Sequence, residues 1–344
     1  MAKILPPSTM RAWQYTTTKS GLEKNLHINP SAPLPPQKSD QHLIRTLAAA
    51  LNPIDYKPAE IPGITRFAIT TPATPGIDFA GTIIKPAINS PLKAGQLVFG
   101  AAGNSPLAGG ALAELCVSNI KCTVALPDGV TPIDGATVGV AGLTAYQSIV
   151  PHVKEGDRIF INGGSGGTGV FGIQIAKTVG CHVTTTCSAV NVELCKKLGA
   201  DEVLDYRKGS VLESLKASGH KFDHVVDNVG KDKALIWRCH EFMQSGAVYV
   251  LVGGEPSFGS LADTLKRQIL PGIFGGLKGK VVGFWPQPKA EDLTQIGAWM
   301  KAGKVTAVVD QLFTFEQAPQ AIEKLKTGRA KGKIVIDVAL ETSK

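Results

Sequence analysis

Residues 158–179 constrain the fold of this chain more tightly than any other stretch. They read RIFIN, then GGSGGTG, then VFGIQIAKTV: a short apolar strand, a glycine loop and an apolar helix in succession. The loop Gly164-Ser165-Gly166-Gly167-Thr168-Gly169 fits the pattern G-x-G-x-x-G. Alone, that pattern is an ordinary glycine-rich turn. Between a buried strand and a helix it marks a dinucleotide-binding βαβ unit. The first glycine permits a tight turn, the second lets a pyrophosphate approach the backbone, and the third lets helix and strand pack closely. Unpaired N–H groups at the helix start then face the anion.

The flanking sequence extends this unit. After Arg158–Asn162 and the helical run Val170–Val179 come the strand His182–Thr186 and the helix Val192–Leu198. Val203–Leu204, Val211–Ala217, Asp223–Val226, Ala234–Phe242 and Ala247–Val252 continue the alternation, which predicts a parallel sheet. The first 130 residues differ: short strands at Arg11–Tyr15, His42–Ala49, Ala80–Ile84, Gln96–Phe99 and Ala113–Val117, separated by turns. Pro30, Pro33, Pro35 and Pro36 predict a loop before the second of them. From Pro132 the pattern turns helical, with Ile133–Ala141 and Thr144–Val150. Two further helices, Glu291–Ala302 and Phe315–Lys326, precede a last strand, Lys333–Val338, expected to pack back on the N-terminal region. The expected organisation is a β-rich domain over 1–130, a sheet domain over 131–289 and a return to the first domain over 290–344.

At 344 residues and 43% hydrophobic, the chain has ample material for two buried cores. The excess of 36 Lys+Arg over 28 Asp+Glu is scattered, without the basic stripe and interleaved aromatics of a nucleic-acid binder. The six cysteines, Cys116, Cys122, Cys181, Cys187, Cys195 and Cys239, form no C-x-x-C pair and read as reduced thiols. Met1–Met10 lacks the apolar core of a leader, and no run of 18 apolar residues exists, so a cytoplasmic chain without a membrane span is expected.

The second strand of the unit bears on which dinucleotide is bound. An NAD-binding chain usually carries Asp or Glu roughly 20 residues on, bonded to the ribose hydroxyl. Between Arg158 and Val192 there is no acid. The strand runs instead into Cys187, Ser188 and Asn191, which can donate to a 2′-phosphate. Tyr206, Arg207 and Lys208 follow the next strand and either close over the same phosphate or are solvated surface. NADPH is the expected cofactor.

These residues, with others, carry a family resemblance. Asn52-Pro53-Ile54-Asp55, Pro75-Gly76-Ile77-Asp78-Phe79-Ala80-Gly81, Ala141-Gly142-Leu143-Thr144-Ala145-Tyr146, Ser165–Gly169, Leu198-Gly199-Ala200-Asp201 with Asp205-Tyr206-Arg207, and Gly332-Lys333-Ile334-Val335 resemble a medium-chain dehydrogenase/reductase of the zinc-free quinone-oxidoreductase branch. Thr186-Cys187-Ser188 with Asn191 and Asp205-Tyr206-Arg207 are especially similar to fungal trans-acting enoyl reductases and plastid-envelope quinone-oxidoreductase homologues. The resemblance implies an α/β chain: a GroES-like β-rich domain plus a Rossmann domain, a doubly wound parallel sheet. It implies Asn52 and Thr144 beside the nicotinamide, Ser165, Gly166, Gly167, Thr168 and Gly169 at the pyrophosphate, and Ser188, Asn191 and Tyr206 at the 2′-phosphate. Gly253, Phe284 and Lys333 are implied around the nicotinamide channel.

Zinc-dependent relatives place Cys, His-Glu and Cys near the positions of Asn52, Ile77-Asp78 and Val140, where this chain has no Cys or His. A catalytic zinc needs about three protein ligands, so none is expected. His27, His152, His182, His220, His224 and His240 read as surface or helix residues. Hydride transfer to an activated carbon–carbon double bond is then favoured over alcohol oxidation, the protein supplying geometry and the cofactor the chemistry. Asn52 and Tyr56 are the candidate catalytic residues. Tyr56 reads either as proton donor or as a wall of the pocket. Quinone reduction and a non-catalytic NADPH-binding sensor stay open, as does a biosynthetic partner enzyme beside the small-molecule substrate.

Overall fold

The computed structural model describes residues 7–61, 68–103, 109–254 and 279–339. The Met1–Pro6 part of the leader considered above lies outside them. By contacts the chain divides into two compact units, Met1–Leu143 with Gln287–Lys344, and Thr144–Pro286. The division at Leu143 lies downstream of the 130 expected from sequence, because the helix Pro132–Ala136 packs on strands of the first unit.

The first unit opens with β1 (Thr9–Gln14), β2 (His27–Pro33), β3 (Gln41–Leu51), β4 (Asp78–Lys85), β5 (Leu97–Ala101), β6 (Leu115–Asn119) and β7 (Thr123–Ala125). The second holds β8 (Arg158–Asn162), β9 (His182–Cys187), β10 (Glu202–Asp205), β11 (Phe222–Asp227), β12 (Met243–Leu251) and β13 (Lys280–Gly283). The chain then returns to the first unit with the helix Ala290–Lys301, β14 (Val309–Thr314), the helix Ala318–Lys326 and β15 (Lys333–Asp337).

β3 is long and buried at nearly every residue because it is central. It pairs antiparallel with β4, β6 and β15, and the β15 pairing sets Ile334 opposite Leu51 and Ile336 opposite Ala49. Apolar side chains of the first and last segments share one core, including Trp13, Ile44, Phe79, Phe315 and Ile334. The Trp13 indole N–H donates to the Phe315 carbonyl at 2.7 Å. Two of the four prolines expected in a loop, Pro30 and Pro33, lie in β2. That strand pairs only with β1 and is irregular opposite Met10–Ala12, and an edge with a bulge tolerates a missing N–H donor.

In the second unit the order is β10-β9-β8-β11-β12-β13, with every pairing parallel. This is the doubly wound sheet, and the strand order reverses between β8 and β11. Ligands of such sheets bind beyond the carboxyl ends of the strands at that point. Phe160, Phe222 and Phe242 pack under it with ring centroids 5.7–6.4 Å apart, and Phe242 meets the other two edge-on. His224 departs from expectation: it lies fully buried on β11, its Nε2 2.6 Å from the Ser148 carbonyl and its ring stacked on His152. No helix among the described residues is long and apolar enough to cross a membrane.

A row of buried side chains ties the carboxyl ends of these strands together. Thr186 accepts the Gly163 N–H at 2.8 Å and donates to Asn162 Oδ1 at 2.6 Å. Asn162 Nδ2 donates to Asp227 Oδ1 at 2.8 Å, which also accepts the N–H groups of Val229 and Gly230, both at 2.9 Å. Tyr249 on β12 donates its hydroxyl to Asp227 Oδ2 at 2.6 Å. Asp227 is wholly buried, so its oxygens need these donors. Tyr249→Phe removes one while keeping the ring. The expected loss is about 1–3 kcal/mol of unfolding free energy, measured by urea denaturation. A midpoint equal to wild type would show that Asp227 does not need this donor.

Candidate active site

The glycine loop follows β8 at the switch point, and the helix Gly167–Thr178 starts on it with Gly166 as N-cap. The left-handed turn falls on Gly163, φ +84°, one residue before the motif. Gly164 is required for another reason: a Cβ there would lie 2.1 Å from Thr185 Oγ1. At Gly169 a Cβ would lie 2.2 Å from the Gly163 carbonyl oxygen, so close packing of helix on strand demands glycine. Gly166 is different, since the nearest atom to a Cβ is 3.6 Å away. No protein contact requires glycine at 166, and the space beside it suits a ligand that approaches the backbone.

Other expected residues gather at the same strand ends. β9 and β10 run in register with Cys187 opposite Asp205, which brings Ser188 and Tyr206 side by side, and the Tyr206 N–H donates to the Cys187 carbonyl at 3.2 Å. Ser188 and Asn191 are buried, and Tyr206 is exposed with the Arg207 guanidinium 6.0 Å from its ring centre. Asn191 Nδ2 donates to Ser165 Oγ at 3.0 Å and so links this group to the glycine loop, while its Oδ1 is buried without a partner. At the other end of the sheet, the Gly253 N–H donates to the Asp227 carbonyl at 2.9 Å, and the Phe284 N–H to the Leu251 carbonyl at 3.0 Å. Thr144 is buried on the helix Ala141–Ile149, which Leu143 divides between the units. Sequence reasoning missed Asn228, after β11, whose carboxamide nitrogen and oxygen are both buried and unpartnered. A donor–acceptor ended loop and a row of N–H groups at a helix start fit an anionic dinucleotide.

The first unit holds the remaining candidates. Asn52 closes β3 and is 4% exposed. Its Nδ2 donates to Asp78 Oδ2 at 2.9 Å. Lys333, at the start of β15 and 2% exposed, donates to Asp78 Oδ2 at 3.0 Å, to the Leu51 carbonyl at 3.1 Å and to Asn52 Oδ1. The Asn52 N–H donates to Asp55 Oδ2 at 2.7 Å. Burial raises the pKa of Asp78, and the Lys333 charge and the Asn52 hydrogen bond only partly offset that. Burial pushes Asp55 up to about 7 against the backbone hydrogen bond from Asn52. The Tyr56 ring packs at the margin of the core, with Lys326 Nζ 5.4 Å from the ring centre. Lys326 in turn bonds Glu23 and Glu60, at 2.6 Å each.

Known proteins resemble this chain in sequence and fold. Residues 38–128 match the family model of the alcohol dehydrogenase GroES-like domain, and residues 198–336 that of a zinc-binding dehydrogenase. The trans-enoyl reductase pgmF of Aspergillus terreus is 46% identical over 96% of this chain and 97% of its own length. The chain belongs to the medium-chain dehydrogenase/reductase family. The chloroplast envelope quinone oxidoreductase homolog of Arabidopsis thaliana is 32% identical, covering 95% of this chain and 98% of its own. The quinone oxidoreductase of Coxiella burnetii superposes with a TM-score of 0.82 at 29% identity, over 96% and 99% of the two chains. The chain is thus an oxidoreductase with a GroES-like and a Rossmann domain, of a family that binds a nicotinamide cofactor.

Sequence reasoning gives Asp55 and Asp78 of this oxidoreductase no role. The available signal was an acid inside each apolar run, NPID and PGIDFAG, since a carboxylate seldom sits among apolar residues without a partner. Among the described residues no group of three or more His, Cys, Asp or Glu is placed to share a metal ion.

Two outcomes follow from this geometry. Gly169→Ala should lower the melting temperature clearly and Gly166→Ala should leave it unchanged; equal effects would contradict the difference in space at the two glycines. Because Asp55 binds its proton more tightly in the folded chain, its contribution to stability is full below about pH 4 and is lost as pH rises through about 7. Asp55→Asn, which keeps an acceptor for the Asn52 N–H, should flatten the decline of the urea midpoint between those values. An unchanged slope would mean that Asp55 ionises as an ordinary carboxylate.

Proposed function

We propose that this oxidoreductase uses NADPH to reduce a carbon–carbon double bond conjugated to a carbonyl group. Full-length similarity to a trans-enoyl reductase carries the reading. The cofactor preference is supported by the donors at the ends of β9 and β10. Ser188, Asn191 and Tyr206 are neutral, no acid stands between Arg158 and Val192, and a 2′-phosphate there would meet donors without repulsion. Ser165–Gly169 hold the pyrophosphate, with Gly166 leaving the room it needs. Thr144, Gly253 and Phe284 flank the nicotinamide ring in the second unit. The reduced cofactor supplies hydride. The chain's own residues orient the acceptor and stabilise charge on its oxygen. In the first unit Asn52 and Lys333 serve this end, and Tyr56 is the wall of the pocket or its proton donor. The polar centre of that unit already carries a cation, Lys333, so the reading requires no metal. Quinone reduction is the second reading, favoured by the likeness to the Coxiella burnetii enzyme.

The test is a panel of enones and quinones with both cofactors. A simple enone should give the saturated ketone, and mainly allylic alcohol would overturn the mechanism. Faster turnover of every quinone than of any enone would favour the second reading. Ser188→Asp sets a charge against the phosphate, and Tyr206→Phe removes a donor. Each should lower kcat/KM for NADPH on the order of tenfold or more, a hydrogen bond to a charged group being worth roughly 1.5–3 kcal/mol. NADH should barely respond. Equal use of the two cofactors by the wild type would show that this pocket does not read the phosphate.

A further inference from the structure

We infer that Asp78 and Lys333 are positioning residues that lock the Asn52 carboxamide in one orientation and leave one of its N–H groups as the donor to the carbonyl oxygen of the substrate. The inference rests on the reductase reading above and assigns roles within it.

An ammonium group can only donate. All three Lys333 donors are used, on the Leu51 carbonyl, Asn52 Oδ1 and Asp78 Oδ2. Asp78 Oδ2 accepts from both Lys333 and Asn52, so a proton on this carboxyl group would sit on Oδ1 and leave Oδ2 an acceptor. Turning the Asn52 amide over would set its N–H groups against the ammonium and its oxygen against the carboxylate. Both contacts would be repulsive in a buried site, so a single orientation survives. The Asn52 backbone is held as well, its N–H by Asp55 and its carbonyl by the Asp55 N–H at 2.9 Å.

Once Asp78 has taken one hydrogen of Nδ2, the other has no partner among the described residues. The ammonium on the amide oxygen draws electron density from the nitrogen and makes that remaining N–H a stronger donor. Stability alone does not call for such a cluster. Apolar residues of similar volume in place of a buried ion pair are often neutral or stabilising. What the pair provides here is a fixed, polarised donor.

The chemistry that needs it is conjugate reduction. A bound reduced nicotinamide dinucleotide would supply hydride to the β-carbon and be left oxidised. The alkene π electrons move to form an enolate, whose negative charge rests on the former carbonyl oxygen. The Asn52 N–H bonds that oxygen, and a proton from solvent then adds to the α-carbon, giving the saturated carbonyl compound.

Two variants test this, N52D and the charge-neutral D78N/K333M. The readouts are the urea midpoint of the cofactor-free protein, NADPH affinity by fluorescence, and the single-turnover rate with cyclohexenone across pH. At high pH N52D offers no N–H, and its rate should fall roughly a hundredfold, as when one oxyanion donor is removed, with NADPH affinity unchanged. On lowering the pH the introduced carboxyl gains a proton and thus an O–H donor, and the rate should recover. The groups facing it are Asp55, Asp78 and Lys333, with Tyr15 close to Asp55. In D78N/K333M the urea midpoint should stay near wild type while the rate falls, because an amide at 78 accepts either orientation of Asn52. Wild-type rates in a stable D78N/K333M protein would overturn the inference, since the pair would then serve only charge balance. So would a pH-independent loss in N52D, or a loss of NADPH affinity in place of rate. If D78N/K333M does not fold, N52D decides alone. A wild type that binds NADPH but leaves cyclohexenone unreduced overturns the reductase reading, and the inference with it; a wild type that reduces the enone while N52D matches it at every pH overturns the inference alone.

Discussion

A single ammonium group organises the first unit. Lys333 carries its charge to a place that is almost wholly dry, and a charge there is tolerable only with acceptors on every donor. Those acceptors come from the end of β3 and the start of β4, while the lysine itself opens β15 near the end of the chain. The antiparallel pairing of β15 on β3 sets the register that brings them together, Ile334 facing Leu51. A slip of one residue would turn Lys333 to the other face of the sheet. Strand register and buried charge therefore enforce one another.

The second unit solves a similar problem with neutral groups. Asp227 is buried at the carboxyl end of β11, and its oxygens are held by Asn162, Tyr249 and two backbone N–H groups. Through Asn162 and Thr186 the row reaches the N–H of Gly163, where the chain turns left-handed into the glycine loop. The glycine loop and the loop after β11 are thus fixed by the same carboxylate. Parallel strands leave their carboxyl ends at one edge of the sheet, which is why one chain of hydrogen bonds spans four of them.

Much of this was legible in the chain. The glycine loop sits where the strand and helix around it predicted, and most segments of the Rossmann alternation lie within a few residues of their expected bounds. The elements missed were those with weak local signals. β7, β13 and β14 are short or edge strands, and β2 contains prolines that only its edge position and bulge allow. The helix expected over Ala234–Phe242 is broken at Arg238, and Cys239–Glu241 forms a separate tight turn. His224 looked like a surface residue because nothing near it in sequence shows that Ser148 and His152 will meet it.

By itself the sequence determined the two-domain family fold, the place of the glycine loop and the absence of an acid on the second strand of the βαβ unit. These are local features, decided by the period of apolar residues and by glycines at fixed spacing. Tertiary structure decided the rest. It moved the left-handed turn to Gly163, showed that Gly164 is demanded by Thr185 and Gly169 by the Gly163 carbonyl, and joined Asn52, Asp78 and Lys333 into one buried cluster. Asn52 and Lys333 are 281 residues apart in the chain. No local pattern reports which buried acid will meet which buried base, because that choice is made only when distant strands pair and water leaves.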